Sequence, residues 1–534
     1  MIWKRRSSFP KWCYAKAPGE ENAVQSFLQQ HAEKITGVLG CFDRMIFKGY
    51  LPVSYPLGLQ NFLDHHGILL KNFKTFAPAQ AERLKEHAQA VARRAGRPYE
   101  YLYSHCRKDE LAQEIARRDG VSRGLICVFS TLELCPSFKV VYGEGRPRLQ
   151  RSKRKCLCLY FYYLDADFGL MHIRLQTWFP MTIQVYVNGH EWLARQMDKR
   201  RLGYQRRDNA FLALDEPDKA QALADRLCCL KWTRRLDAMA KRIQPLLKDL
   251  LKGLHYHWVI DQAEFATDIL FQDRASLQTL YARLLDHAIL HFGAKEILTF
   301  LGKKLPSNFA GEVLTQCHKE RWPGARIKHR VAGNWLKMYD KFGQVLRIEV
   351  VINRPYPFRV LRWGTRQGQR VFGWFPLAKK LAYLPRYAEI GRQAAGRYLD
   401  ALAVVVDPEV SDELLDQACN QAALHGRQRR ALNPLSRQDQ RLFQAVLDGD
   451  QALHGFSNAD IARRLDIVYS QNPTLRRRQS ARVSRLLQLL RAHGLIKKLP
   501  RCRRYRVTDK GLAFMTVAID VRHKSFPTAF SEAA

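Results

Sequence analysis

The chain has 534 residues, with 88 Lys and Arg against 50 Asp and Glu, a formal charge of +38. The length exceeds what one core accommodates, and a 46% hydrophobic content excludes a disordered chain. So strong a positive field sets aside an ordinary small-molecule enzyme and points to a polyanionic partner: DNA, RNA or an anionic membrane surface, with nucleic acid foremost.

The N-terminus, residues 1–20, reads as a basic tail without the apolar core of a secretory signal. No run of ~18 apolar residues offers a membrane span, so a cytoplasmic protein with no membrane partner is expected. The 12 cysteines include no CxxC pair; Cys156-x-Cys158 and Cys228-Cys229 are the close pairs. Their spacing argues against a zinc ribbon and for reduced, mostly buried thiols.

An α+β domain is expected over 21–205. A helix over 21–36 leads into a strand, GVLGCFDRMIFKGYL, in which Asp43 is a minor acidic candidate. Helices are predicted at 57–65, 78–95 and 108–120. The strands GLICVFSTLEL, FKVVY, CLCLYFYYLD, LMHIRLQTW and TIQVYVNG follow, with short connections that favour antiparallel pairing. The segment 146–155, RPRLQRSKRK, reads as a basic linker with six cations and no acid.

Alternation places Met171, Ile173 and Leu175 on one sheet face and His172, Arg174 and Gln176 on the other. Ile183, Val185 and Val187 likewise oppose Gln184, Tyr186 and Asn188. A polar face carrying Tyr160, Tyr162 and Arg174 beside Arg151, Lys153, Arg154 and Lys155 suits stacking and phosphate contact with single strands. The same face covered by helices is the competing expectation. Asp165 and Asp167 are metal-ligand candidates, or else the turn before Phe168-Gly169.

Residues 206–330 read as a helical middle, with Asp261, Glu264 and Asp268 near one helix face. Residues 331–425 read as a β-hairpin plus helices. In NWLKMYDKFGQVLRIEVVIN, a Lys341-Phe342-Gly343 loop puts Leu336, Met338, Leu346 and Ile348 on one face. Lys337, Tyr339, Arg347 and Glu349 share the other. Tyr339 as nucleophile and Glu349 as ligand for magnesium or manganese would serve strand nicking; cross-strand ion pairing is the plainer alternative. The hairpin resembles the YDK/YEK…RxE strands of rolling-circle replication initiators, without their His pair.

A joint at 425–438 precedes a module over 430–525. Helices are expected at SRQDQRLFQAVLDG, at SNADIARRLDI with Ser457 or Asn458 as cap, and at SARVSRLLQLLRAHG capped by Ser480. Val483, Leu486, Leu487 and Leu490 form the inner face, leaving Arg482, Ser484, Arg485 and Gln488 outward. Two short strands around a tip with Arg501, Arg503 and Arg504 follow, then a helix after Gly511. Between 476 and 510 lie 13 Lys or Arg and one Asp. The module resembles the winged helix-turn-helix of MarR-like regulators, which implies duplex DNA recognition through those seven residues.

FDRMIFKG, HIRLQTWFP, IQVYVNGHEWLARQ, AEFATDILF and KMYDK…VLRIE together resemble a family of long bacterial proteins that carry such a tail. That resemblance implies a recurring multidomain design and no particular activity. Two functions are expected from the whole: a DNA-processing protein associated with mobile elements or replication, or a non-catalytic DNA-binding regulator with a large sensing body.

Overall fold

The computed structural model describes residues 25–103, 105–142, 147–303, 311–318, 326–403, 405, 412–424, 426–447, 455–500, 502–520 and 522. The fold is mixed α+β with a large mixed sheet. Contacts divide the chain into two units, and the first contains 37–268 and 349–391. The second contains 269–348 and 392 onward, with 16–36. No described helix is long and apolar enough to cross a membrane.

The first unit is built on β1 (Ile35–Tyr50), β2 (Tyr99–Tyr101), β3 (Gly124–Val141), β4 (Arg148–Asp165), β5 (Gly169–Gln176) and β6 (Ile183–Asn188). A small separate hairpin, β7 (Tyr204–Arg207) and β8 (Ala210–Leu214), precedes β9 (His257–Phe271). The sheet order is β9-β1-β6-β5-β4-β3-β2. The pairs β1–β6, β3–β4, β4–β5 and β5–β6 are antiparallel, and β2–β3 is parallel. Helices Pro56–His65, Phe73–Arg94 and Lys108–Arg118 form where periodicity places them. Phe62, Phe73 and Phe76 gather around Phe179, with ring centroids 5.8–6.0 Å away.

The basic run 146–155 is no linker: from Arg148 it is the first half of β4, paired with β3 from Val141↔Arg148 to Gly124↔Leu164. Arg151, Lys153 and Lys155 are cations on an extended hairpin arm, which alternating Lys and Arg side chains tolerate. The segment WVIDQAEFATDILF is strand β9, not helix. Its aromatic and β-branched residues are buried on both faces, which removes the alternation that marks a half-exposed strand. Asp261 and Glu264 therefore point to opposite faces, while Glu264 and Asp268 share one.

In the second unit, β10 (Val313–His318), β11 (Arg326–Val331), β12 (Asn334–Lys341) and β13 (Val345–Ile352) follow one another in the sheet. The last four residues of β13 count with the first unit. The β12–β13 turn places Phe342 and Gly343 at φ 61° and 77°. Leu336, Met338, Leu346 and Ile348 are buried, but so are Tyr339, Arg347 and Glu349. Both faces of the hairpin are therefore covered at these positions.

A second hairpin, β14 (Arg359–Arg366) and β15 (Gln369–Pro376), belongs to the first unit and lies outside the large sheet. Helix Leu384–Leu402 follows. The C-terminal region of the second unit holds a short pair, β16 (Ala422–Leu424) and β17 (Arg427–Arg429), and helices Arg437–Leu447, Asn458–Arg464 and Pro473–Ala492. The ribbon β18 (Ile496–Lys498) and β19 (Tyr505–Val507) and helix Asp509–Asp520 complete it. Phe443, Ile461, Val483, Leu487, Leu490 and Phe514 form its core. Ser457 caps the middle helix in a capping box with Asp460. The third helix begins at Pro473, not at Ser480: Asn472 accepts from Thr474 and Leu475 N–H, and Pro473 takes a first-turn position. The basic 476–478 run is thus helical and exposed.

Candidate metal centre

Asp43 on β1, Glu264 on β9 and Glu349 on β13 bring one carboxylate oxygen each to within 4.8 Å of one another. Their residues are 8%, 8% and 2% exposed. All three belong to the first unit. Adjacent strands explain the convergence: β13, β9 and β1 are consecutive in the sheet, so residues at one level of one face become neighbours.

The Asp43 carboxylate is oriented from behind. Asn209 Nδ2 donates to both its oxygens at 3.0 and 3.2 Å, and Asn188 Nδ2 donates at 3.3 Å. Asn188 is also the N-cap of helix Gly189–Asp198, accepting from Glu191 N at 3.0 Å. That helix starts directly on β1. A Cβ at Gly189 would lie 2.1 Å from the Phe42 carbonyl oxygen, so only glycine permits the approach. The approach delivers the fully buried His190, whose Nδ1 lies 3.3 Å from Asp43 and whose Nε2 lies 3.6 Å from Asp268. Gln262 Nε2 holds Glu264 at 2.8 Å. Burial disfavours the charge of Arg44, yet Glu264, Tyr186 and Asp43 hold its guanidinium above its ordinary value. Its guanidinium lies 5.3 Å over the Tyr186 ring.

Three buried carboxylates in mutual reach are costly unless a proton, a cationic side chain or a metal ion balances them. An all-oxygen donor set suits a hard divalent cation such as Mg²⁺ or Mn²⁺. The Asn–Asp contacts have the form of the outer hydrogen bonds that fix metal ligands.

A second convergent set lies on the same sheet. Glu133, Cys135 and Cys158 meet within 4.8 Å. Here Arg174 occupies the centre: it donates to Glu133 at 2.8 and 2.9 Å and to the Cys135 and Cys158 sulfurs at 3.1 and 3.0 Å. Hydrogen bonds from Cys156 and Cys158, joined by Arg174, hold the Cys135 thiol well below its ordinary value. The shared bond with Cys135, then burial, pushes Cys156 and Cys158 up. The guanidinium fills the place a cation would take.

The other residues singled out from the sequence fall as follows. Arg174 is an internal ligand and not a phosphate contact. Tyr162 is buried and its hydroxyl donates to Asp109 at 2.7 Å; Tyr160 donates to Glu133 at 2.6 Å and is covered by Lys108. Neither ring is presented to a base. Arg154 is exposed and stacks 4.0 Å over Trp178, and Arg151 lies 5.8 Å over Tyr55. Asp165 makes the β4–β5 turn, accepting from Asp167 and Phe168 N–H. Asp167 pairs with Lys199 and Arg235, and those bonds, Lys199 foremost, lower its pKa. These two carboxylates form a turn, not a metal set. Tyr339, the nucleophile candidate, is buried, 7% exposed.

In the C-terminal region Arg482, Arg485, Arg503 and Arg504 are exposed. Arg504 also donates to the Gly455 carbonyl at 2.9 Å. Ser484 accepts from Asn458 at 2.7 Å, and Gln488 accepts from Arg429 at 2.6 Å, so both are half-buried and engaged. Arg501 lies outside the described residues. Sequence reasoning missed His190, Asn188 and Asn209. The NGH triplet at a strand end was the available signal, since Gly after a capping Asn marks a close helix start.

No family profile, curated protein or solved structure matches this chain.

Proposed function

We propose that this is a nucleic-acid-processing protein that performs metal-dependent phosphoryl transfer. The observation that supports this most is the convergence of Asp43, Glu264 and Glu349 on three neighbouring strands of a chain with charge +38. In this reading the three carboxylates would hold Mg²⁺ or Mn²⁺, which would supply Lewis-acid activation of a water and of the phosphoryl oxygen. Hydrolysis would join the water oxygen to phosphorus, break the P–O bond to the sugar oxygen and pass the water's proton to that oxygen. His190 and Asn209 position Asp43. The C-terminal region supplies duplex recognition in the manner of a winged helix: three helices, a two-stranded ribbon and a closing helix, with Arg482 and Arg485 on the exposed side of the third helix. Tyr339 has no part in this reading.

Full-length protein is tested on single- and double-stranded DNA and on RNA with each metal. Cleavage that falls by ~10²-fold or more in Glu264→Gln and Glu349→Gln, with metal binding lost, is expected. Metal binding without cleavage of any substrate would make the regulator reading the better one, because the C-terminal element order serves it equally.

A further inference from the structure

The β14–β15 hairpin is a basic, aromatic arm that no part of the proposed metal centre uses. From Val350 to Ala388 the chain has eight Lys or Arg and no Asp or Glu. The hairpin closes through a two-residue turn, with Gln367 at φ 50° and Gly368 at φ 79°, the backbone that matches strand twist. It pairs from Arg359↔Pro376 to Arg366↔Gln369 without joining the large sheet.

Its two faces differ. On one, the Phe375 ring lies under the guanidinium groups of Arg362 and Arg366, 4.7 and 5.3 Å from its centroid. A Cβ at Gly364 would sit 2.5 Å from that ring, so glycine makes the room. Arg362 and Arg366 also donate to the carbonyls of Trp363 and Trp374, at 3.0 and 3.1 Å. This layer stiffens a two-stranded ribbon that would be marginal alone.

On the opposite face Trp363 and Phe372 stand directly across from each other, ring centroids 5.4 Å apart, and are 57% and 49% exposed. Arg370 lies 5.5 Å over Trp363. Two large rings held in water on a stiff basic arm are costly unless another flat apolar surface covers them. The surrounding cations select a polyanion. A nucleic acid with unpaired bases supplies both a π-face and phosphates, whereas duplex bases are already stacked on both sides.

We infer that the β14–β15 arm binds single-stranded nucleic acid, stacking unpaired bases on Trp363 and Phe372 while Arg370, on the same face, contacts phosphate. This rests on the nucleic-acid reading above and names the strand state of its substrate.

Full-length protein is titrated against labelled single-stranded and duplex oligonucleotides of one sequence by fluorescence anisotropy. Trp363→Ala and Phe372→Ala should each weaken single-strand binding roughly tenfold, with duplex affinity within about threefold. Trp363→Phe should restore most of the loss, and unchanged thermal melting will show that the variants fold. Quenching of tryptophan fluorescence by the single strand should shrink in Trp363→Phe. If wild type binds nucleic acid and both alanine variants bind single strands as well as wild type, the arm inference is wrong and the general reading stands. Equal loss on single strand and duplex would make the arm a groove or phosphate grip and also overturn it. If wild type binds neither oligonucleotide, the nucleic-acid reading itself fails.

Discussion

The carboxylate centre and the thiol–arginine cluster occupy one sheet, yet they solve opposite problems. Around Arg174, a cation is provided by the chain and shared among Glu133, Cys135 and Cys158. Around Asp43, Asn188 and Asn209 donate to the carboxylate, His190 lies 3.3 Å away, and Arg44 is held by Glu264 and Asp43. The lesson is that a convergent ligand set is not by itself a metal site. What occupies its centre decides, and in the Glu133 set that is a guanidinium.

The largest break of this comparison is Arg174→Ala. Removing one partner of a mostly buried ion pair should cost about 3–5 kcal/mol, read from the denaturant midpoint. Arg174→Lys should not recover it, because an ammonium cannot reach the carboxylate and both sulfurs in one plane. A loss under about 1 kcal/mol would mean the cluster is not closed by Arg174.

Next in size is an acid effect at His172, which stacks on Tyr186 in the row joining the two clusters, with centroids 5.1 Å apart. Burial, opposed by Asp109, lowers its pKa to about 4. A depressed folded-state value contributes stability that is present above the unfolded value of about 6.5 and lost as pH falls towards 4. At most about 3 kcal/mol should disappear across that window, and His172→Phe should flatten the pH profile of stability there. A profile unchanged by the substitution would remove this role.

Asn209→Ala sharpens the other side of the comparison. Losing an orienting donor to Asp43 should weaken Mn²⁺ binding about 10–100-fold, measured by calorimetry, while the denaturant midpoint moves little. The smallest effect lies in the second unit: Ser457→Ala removes the helix cap and should cost about 1 kcal/mol in thermal unfolding of that region. Mn²⁺ affinity should not change with it.

Much of the sheet was legible because alternation is a direct signal. Met171, Ile173 and Leu175 are buried, and His172 and Arg174 oppose them. Alternation says which face a residue takes but not what covers it, so the sequence left Tyr160 and Tyr162 between an open face and a covered one, and helix Lys108–Arg118 closes over them. β9 was hidden because a strand buried on both faces loses its period and mimics a helix. Its true period is what separates Asp261 from Glu264 and joins Glu264 to strands distant in sequence. Glu349 was a ligand candidate from its hairpin, whereas the carboxylates it meets depended on the strand order β13-β9-β1, which no local pattern reveals. The Gln367-Gly368 turn was a short-range signal for the β14–β15 arm that the helical expectation for its flank obscured.

The account turns on whether Asp43, Glu264 and Glu349 hold a divalent cation. The direct measurement is Mn²⁺ titration of the full-length protein, followed by electron paramagnetic resonance, in wild type, Asp43→Asn, Glu349→Gln and Cys135→Ser. The account predicts saturable binding in wild type and Cys135→Ser, and its loss in both carboxylate variants. Binding that survives Asp43→Asn and Glu349→Gln, or that vanishes in Cys135→Ser, would place the ion elsewhere and contradict it.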